Sequence, residues 1–205
     1  MHKNEGRGDM LIKGTEDLRV QKTMAAIDRA FSELLVEKDY GKIAVKELCE
    51  RARINKKTFY AYYASLDELL AEKLEALSAG FIARIADLRA PEDLAAVNRE
   101  FFLFAEEQGE LYERIVCSGA FRALAEKMHA GLVRRAWRDS PAFQALDPLR
   151  QNLLVAFLAV TGCELYSQWV RDGKKMPLEE IIALSGELLC DGANGFLRAA
   201  GGAEP

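Results

Sequence analysis

The sequence predicts an all-α protein, a three-helix helix-turn-helix head followed by a six-helix body. Two observations carry that prediction. Apolar residues recur at intervals of three and four through almost every segment, and no convincing run alternates apolar with polar residues. The stretch 45–70, VKELCERARINKKTFYAYYASLDELL, divides into two short helical pieces around a tight turn, followed by a capped third.

The elements follow in order. Residues 1–14 are polar and glycine-bearing, lack the apolar core of a leader peptide, and are expected to be a disordered tail. The first helix is expected over 16–38, capped by Thr15, with Val20, Met24, Ile27, Phe31, Leu34 and Leu35 in one stripe. Gly41 breaks the chain after it. Helices two and three are expected over 45–52 and 55–63. Ser65 and Glu68 form a capping box opening a fourth helix to about residue 88, whose buried side runs Leu66, Leu70, Leu74, Leu77, Phe81, Ile85 and Leu88.

Pro91 is expected at the first turn of a fifth helix ending near Gln108, with Glu92 and Asp93 at the positive end of its dipole. Gly109 and Gly119 bracket a short sixth helix, and a seventh follows over 120–138. Pro141 and Pro148 bound a loop. An eighth helix over 149–172 ends at Gly173, and Pro177 opens a ninth to about 199. The expected domains are a head at 15–64 and a regulatory and dimerisation body at 65–200, with a frayed tail at 201–205.

Of the 205 residues, 50% are apolar and 29% charged, enough to bury a core and stay in water. No run of ~18 uncharged apolar residues occurs, so no membrane partner is expected and the cytoplasm is the expected location. The net charge of -4 hides an asymmetry: residues 1–65 carry 13 Lys and Arg against 10 acids, and the remainder carries 15 against 22. A mildly basic head on an acidic body fits a nucleic-acid-binding end joined to a part that faces elsewhere. Cys49, Cys117, Cys163 and Cys190 lack metal-site spacing and sit among apolar neighbours. They read as reduced buried thiols, with a redox pair as the alternative. Only His2 and His129 are histidines, so no metal, cofactor or catalytic pair is expected, and the chain does not read as an enzyme.

A helix-turn-helix needs inward residues that lock two helices and outward residues that meet DNA. Leu48 and Ala52 should face inward from the bracing helix, Ile54 should fill the turn, and Phe59 and Tyr63, four apart, should face inward from the second. Asn55 can cap that second helix. Lys56, Lys57, Thr58, Ala61 and Tyr62 are left outward, with Tyr60 at the margin, a surface suited to phosphates and base edges. By composition alone KKTFYAYY also fits the lysine-flanked edge of an ordinary helical core.

The whole of this order resembles the DNA-binding domain of the TetR family of bacterial transcriptional regulators. The pattern covers about 17–74, through Val45-x-x-Leu48, Ala52-x-Ile54-Asn55, Lys57-Thr58-Phe59-Tyr60-x-Tyr62-Tyr63 and Asp67-Glu68-Leu69-Leu70. The resemblance implies a homodimer on a palindromic double-stranded operator, mostly repressing and released by a small-molecule effector. It implies that Lys56, Lys57, Thr58 and Ala61 face the groove, that Tyr60 and Tyr62 hold phosphates, and that Lys46 approaches the backbone. Ala44 stands where Thr or Ser is usual, Leu66 where lysine commonly meets phosphate, and Tyr62 where histidine is common. Lost phosphate contacts of this kind reduce affinity and its salt dependence.

The body offers a choice between core and pocket. Phe101, Phe104, Gln108, Tyr112, Phe121, Phe157 and Tyr166 are the expected lining of an effector pocket, with Arg114, Arg122 and Glu164 as further polar candidates. For any single aromatic, ordinary core packing is the stronger reading. Helices eight and nine are apolar on broad faces. Leu154, Leu158, Leu165, Trp169, Ile181, Leu184 and Leu188 are the expected dimer interface, with small residues Ala183, Ser185, Gly186 and Gly192 permitting close approach. An intramolecular packing face is the other reading. The expected function is a ligand-released repressor. The alternative is a co-regulator acting through a protein partner with weak or no direct DNA binding.

Overall fold

The computed structural model describes residues 5–117 and 122–201, with side chains over 18–117 and 130–199. Among these residues it is all helical. The order is α1 (Glu5–Glu37), a 3-10 turn (Tyr40–Lys42), α2 (Val45–Ala52), α3 (Lys56–Tyr62), α4 (Leu66–Arg84), α5 (Leu94–Gln108), α6 (Glu110–Cys117), α7 (Arg122–Trp137), α8 (Pro141–Gln144), α9 (Pro148–Arg171) and α10 (Leu178–Gly201). The chain divides into two compact units, one ending at Lys73 and one beginning at Leu74, with α4 running through the division.

In the first unit the stripe on α1 does what its spacing predicts from Ile27 onward. Ile27, Phe31, Leu34 and Leu35 are buried with Leu48, Cys49, Ala52, Phe59, Tyr63, Leu69 and Leu70. Val20 is exposed. Helix α1 begins at Glu5, where a disordered tail over 1–14 was expected. That segment contains no proline, and its Leu11, Ile12 and Lys13 tolerate helix well enough to offset the glycines. Thr15, the expected cap, therefore lies inside α1.

Arg51 pairs with Glu37 through two hydrogen bonds of 2.5 and 2.7 Å, fastening α2 to α1. That guanidinium holds the Glu37 carboxyl below its ordinary value. Lys38 pairs with Glu47 at 2.6 Å, and Lys73 with Asp28 at 2.6 Å.

The second unit holds two apolar clusters. One gathers Leu94, Trp137, Phe143, Leu146, Leu154, Val155, Leu158 and Leu189. The other is aromatic, with Phe101, Phe102, Phe104, Tyr112, Tyr166 and Trp169 packed largely edge to face. The Tyr166 hydroxyl donates to Glu106 at 2.9 Å. Lys174 bridges Glu106 and Glu113, both at 2.6 Å, while lying over the Trp169 ring.

Several boundaries differ from expectation. Helix α4 ends at Arg84, short of residue 88, where the Leu88 amide turns back to Ile85 in a tighter bond. Helix α5 starts at Leu94 and not at Pro91. The Ala90–Pro91 peptide is cis, and Asp93 closes the preceding turn by accepting from the Arg89 amide at 2.8 Å and donating its own amide to the Arg89 carbonyl at 2.7 Å. The loop expected between Pro141 and Pro148 contains α8, one turn capped by Ser140. Gly109 and Gly173 take positive φ, as the breaks there require. Gly119, expected to close the sixth helix, lies outside the described residues.

Helix α9 is long and apolar enough by length and mean hydropathy, 1.4, to cross a membrane. In this fold its Leu154, Val155 and Leu158 enter the body's core instead.

Candidate nucleic-acid interface and effector cavity

The turn between α2 and α3 is built by its caps. Arg53 ends α2 in the left-handed conformation, φ 55, and its neighbour Ile54 donates its amide to the Cys49 carbonyl at 2.9 Å, so the chain reverses within a few residues. Asn55 caps α3, accepting from the Thr58 amide at 2.7 Å. Its Oδ1 also accepts from the Thr58 hydroxyl at 3.0 Å. Thr58 is thus partly committed to the cap and half-buried, not a free outward donor. Ala44 caps α2 with no side-chain bond. The box at α4 is shifted by one residue on one side: the Glu68 amide donates to Ser65 at 3.2 Å, and the Glu68 carboxylate accepts from the Ala64 amide at 2.6 Å.

With Phe59 and Tyr63 buried, the outer face of α3 carries Lys56, Lys57, Tyr60, Ala61 and Tyr62, all exposed. Tyr60 is 55% exposed and packs its ring edge to face against the buried Phe59, so it sits at the margin of the outward face. Lys46 is exposed on α2 and lies 3.8 Å from Glu50. Two cations and two phenols on a short capped helix, backed by a locked bracing helix, form a surface able to grip phosphates and approach base edges.

The body contains a cavity of about 100 Å³ lined from α5, α7 and α9, with Phe81, Ile85, Leu88 and Leu189 also in its wall. Among the described residues of the expected lining, Phe101 alone reaches it. Phe104, Tyr112 and Tyr166 are buried in the aromatic cluster, because their edges satisfy one another. Gln108 lies at the end of α5, half-buried and outside the lining. Phe157 lies across Gly192 of α10, where a built Cβ would be 2.6 Å from its ring. Phe121 falls outside the described residues, as does the Arg122 side chain. Arg114 does not line the cavity, and Glu164 faces Arg171 at 3.6 Å.

Among the described residues, Asn98 is a polar residue in the lining that the sequence reading missed. The signal was present: Asn98 is the polar position in the stripe Leu94, Asn98, Phe101, Phe102, Ala105. Burial pushes the lining Cys163 thiol up to about 12, so it stays protonated at neutral pH. The four cysteines form no disulfide, and among the described residues no group of three or more His, Cys, Asp or Glu could hold a metal ion.

The expected dimer residues separate into two sets. Leu154, Leu158 and Trp169 are buried in this chain's own core, the last donating its indole N–H to the Met176 carbonyl at 2.8 Å. Leu165 and Ile181 are half-buried against the aromatic cluster. Leu184 and Leu188 are exposed. They are joined by residues one position away in register on α9: Leu149, Leu153, Phe157 and Val160 form an exposed apolar stripe at spacings of four and three. Ser185 and Gly186, expected to admit a partner helix, instead face Asn98 of α5.

This is a helix-turn-helix DNA-binding head of regulator type joined to a separate helical body. Residues 27–72 match the family described as bacterial regulatory proteins, tetR family, and the head belongs to the TetR family. The chain is 31% identical over 85 residues to YxbF, an HTH-type transcriptional regulator of Bacillus subtilis strain 168, covering 41% of this chain and 22% of that protein. The chain thus spans about a fifth of the length of the curated relative it matches. A TetR transcriptional regulator from Streptococcus agalactiae 2603V superposes with a TM-score of 0.68 at 22% identity, over 86% of this chain and 98% of that one. FadR of Bacillus subtilis, solved with stearoyl-CoA, superposes with a TM-score of 0.55 at 21% identity, over 82% and 98%. These structural likenesses show the fold.

Proposed function

We propose that the chain is a cytoplasmic transcriptional repressor that binds a palindromic operator as a homodimer and leaves it when a small apolar effector enters the body. The observation that carries this reading is the exposed Lys56–Lys57–Tyr60–Ala61–Tyr62 face on a capped helix within the matched segment. Lys56, Lys57 and Ala61 are assigned to the groove, with Tyr60, Tyr62 and Lys46 on phosphates. Thr58 contributes through the cap. One short recognition helix reads few bases, and a second copy supplies another half-site about one helical turn, ~34–36 Å, away. The exposed stripe of Leu149, Leu153, Phe157 and Val160, with Leu184 and Leu188, supports pairing of α9 and α10 with a second copy. Effector binding then shifts the population toward heads spaced wrongly for DNA, with α4 as the connecting element.

FadR was solved with stearoyl-CoA. Among the described residues the cavity lining is mainly aliphatic and aromatic, which supports an effector with a large apolar part.

A nuclease footprint on the DNA upstream of the chain's own gene tests the reading. Two protected half-sites one helical turn apart are expected, with protection lost in effector-containing extract. A second reading, a co-regulator held on promoters by a protein partner, is favoured by the uncapped Ala44 and by Leu66 at the start of α4. Under that reading the chain protects no DNA by itself.

A further inference from the structure

We propose that Lys57 and Ala61 set the sequence preference of the DNA-reading helix, Lys57 by reading a guanine and Ala61 by reading the methyl group of a thymine about two base steps away. The proposal rests on the reading of the outer face of α3 as the DNA-binding surface and adds what that surface recognises.

Successive residues of a helix are turned by ~100°, so the buried pair fixes where the other side chains of α3 stand. Phe59 and Tyr63 are 0% and 3% exposed and define the inward side. Ala61 then stands about 180° from their midline and Lys57 about 140°, one turn apart on one line of the helix. Both are exposed. Tyr60 and Tyr62 stand about 80° from the midline on opposite flanks. Thr58 also turns outward, but it is half-buried and gives its hydroxyl to Asn55 Oδ1 at 3.0 Å. Lys56 comes round toward α2, near enough for its charge to act on the Cys49 thiol. The helix therefore presents a central line of one cation and one methyl, with a phenol on each flank. A helix seated in the major groove meets base edges along its centre line and the two phosphate walls along its flanks.

The chemistry of the two side chains names the bases. An ammonium group only donates. On its major-groove edge guanine offers two neighbouring acceptors, N7 and O6. Adenine sets an amino donor beside its N7, cytosine offers a donor, and thymine offers O4 alone. Lys57 is thus best met by guanine. Ala61 brings neither donor nor acceptor, and its methyl finds an apolar partner in the C5 methyl of thymine. Its small size also lets the backbone of α3 close on the base pairs, which a long side chain at the outermost position would hold off. Four residues of helix rise ~6 Å against ~3.4 Å per base pair, which spaces the two readings by about two steps.

Selection by the full chain from a randomised duplex pool tests this, repeated with Lys57→Ala and with Ala61→Gly. The wild-type chain is expected to enrich a half-site with guanine and thymine about two steps apart. Lys57→Ala should relax a preference of about tenfold at the guanine alone, and Ala61→Gly should relax the thymine alone. Deoxyuridine in place of that thymine removes only the methyl. It should weaken binding by the wild-type chain about fourfold per half-site and leave binding by Ala61→Gly unchanged. Each comparison is between duplexes on one protein, so the stability of a variant does not enter. A Lys57→Ala chain that binds all sequences more weakly alike, with a smaller salt slope, makes Lys57 a phosphate contact and overturns its assignment. Relaxation at any other base, or at none, overturns the assignment of the residue changed. Equal binding of the thymine and deoxyuridine duplexes by the wild-type chain overturns the assignment of Ala61. These results leave DNA binding standing. A pool from which the wild-type chain enriches nothing overturns the proposal and the DNA-reading function together.

Discussion

Asn55 and Ala44 cap the two helices of the DNA-reading motif in opposite ways. Asn55 accepts from the Thr58 amide at 2.7 Å, whereas Ala44 leaves its helix without a side-chain acceptor. Asn55→Ala should lower the stability of the head by about 1 kcal/mol, seen as a lower urea midpoint of the transition that reports on Tyr60 and Tyr62. Ala44→Thr should raise it by a similar amount, about 1 kcal/mol, because residue 44 already has the extended backbone an N-cap needs. It should also tighten DNA binding by restoring a hydroxyl near the backbone. Both caps were legible in the sequence, since a cap is a local property. The use of the Thr58 hydroxyl on Asn55 was not, because a threonine one turn into a helix points outward or back depending on what precedes it. Asn98 escaped for a related reason. A polar residue in an apolar stripe announces itself, but its partners, Ile182 and Ser185, lie more than eighty positions away.

At the scale of elements, periodicity located the helices well and their faces less well. Helix α9 is apolar on more than one side, so its spacing does not tell which side meets the body. Leu154 and Leu158 turn inward, and Leu149, Leu153 and Phe157 remain outside. A shift of one residue rotates a helix by ~100°, enough to exchange core for surface. The start of α9 is held by Asp147, which accepts from the Leu149 and Arg150 amides at 2.9 and 3.0 Å. The Arg150 amide foremost, with the Leu149 amide, outweighs the opposing effect of desolvation and holds the Asp147 carboxyl below its ordinary value of 3.8. A depressed pKa in the folded state contributes stability above the unfolded value and loses it as pH falls through the folded one. The urea midpoint of the body should therefore fall as pH drops below about 4, and Asp147→Asn should flatten that dependence.

For the whole molecule, the all-helical class, the head and the separate body were readable from spacing and one dense motif. The pocket lining was not, because which aromatics meet each other and which face a void depends on the tertiary packing of α5, α7 and α9. The exposed stripe on α9 and α10 leads to a further prediction. Leu153→Glu with Leu188→Glu should convert the chain to a monomer in analytical ultracentrifugation without altering its helical circular dichroism, both residues being well exposed in one chain, 62% and 59%.

The central claim is that the outer face of α3 grips DNA, and its most direct test is fluorescence anisotropy on a duplex from the chain's own upstream region at ~50 and ~200 mM salt. Binding should weaken steeply between the two salts. Lys56→Ala with Lys57→Ala should weaken it further at low salt and reduce the slope of log affinity against log salt by up to about 2 per protomer, less if a lysine reads a base edge. An upstream duplex bound no better than a random one, or an affinity and salt slope unchanged in the double variant, would contradict the account.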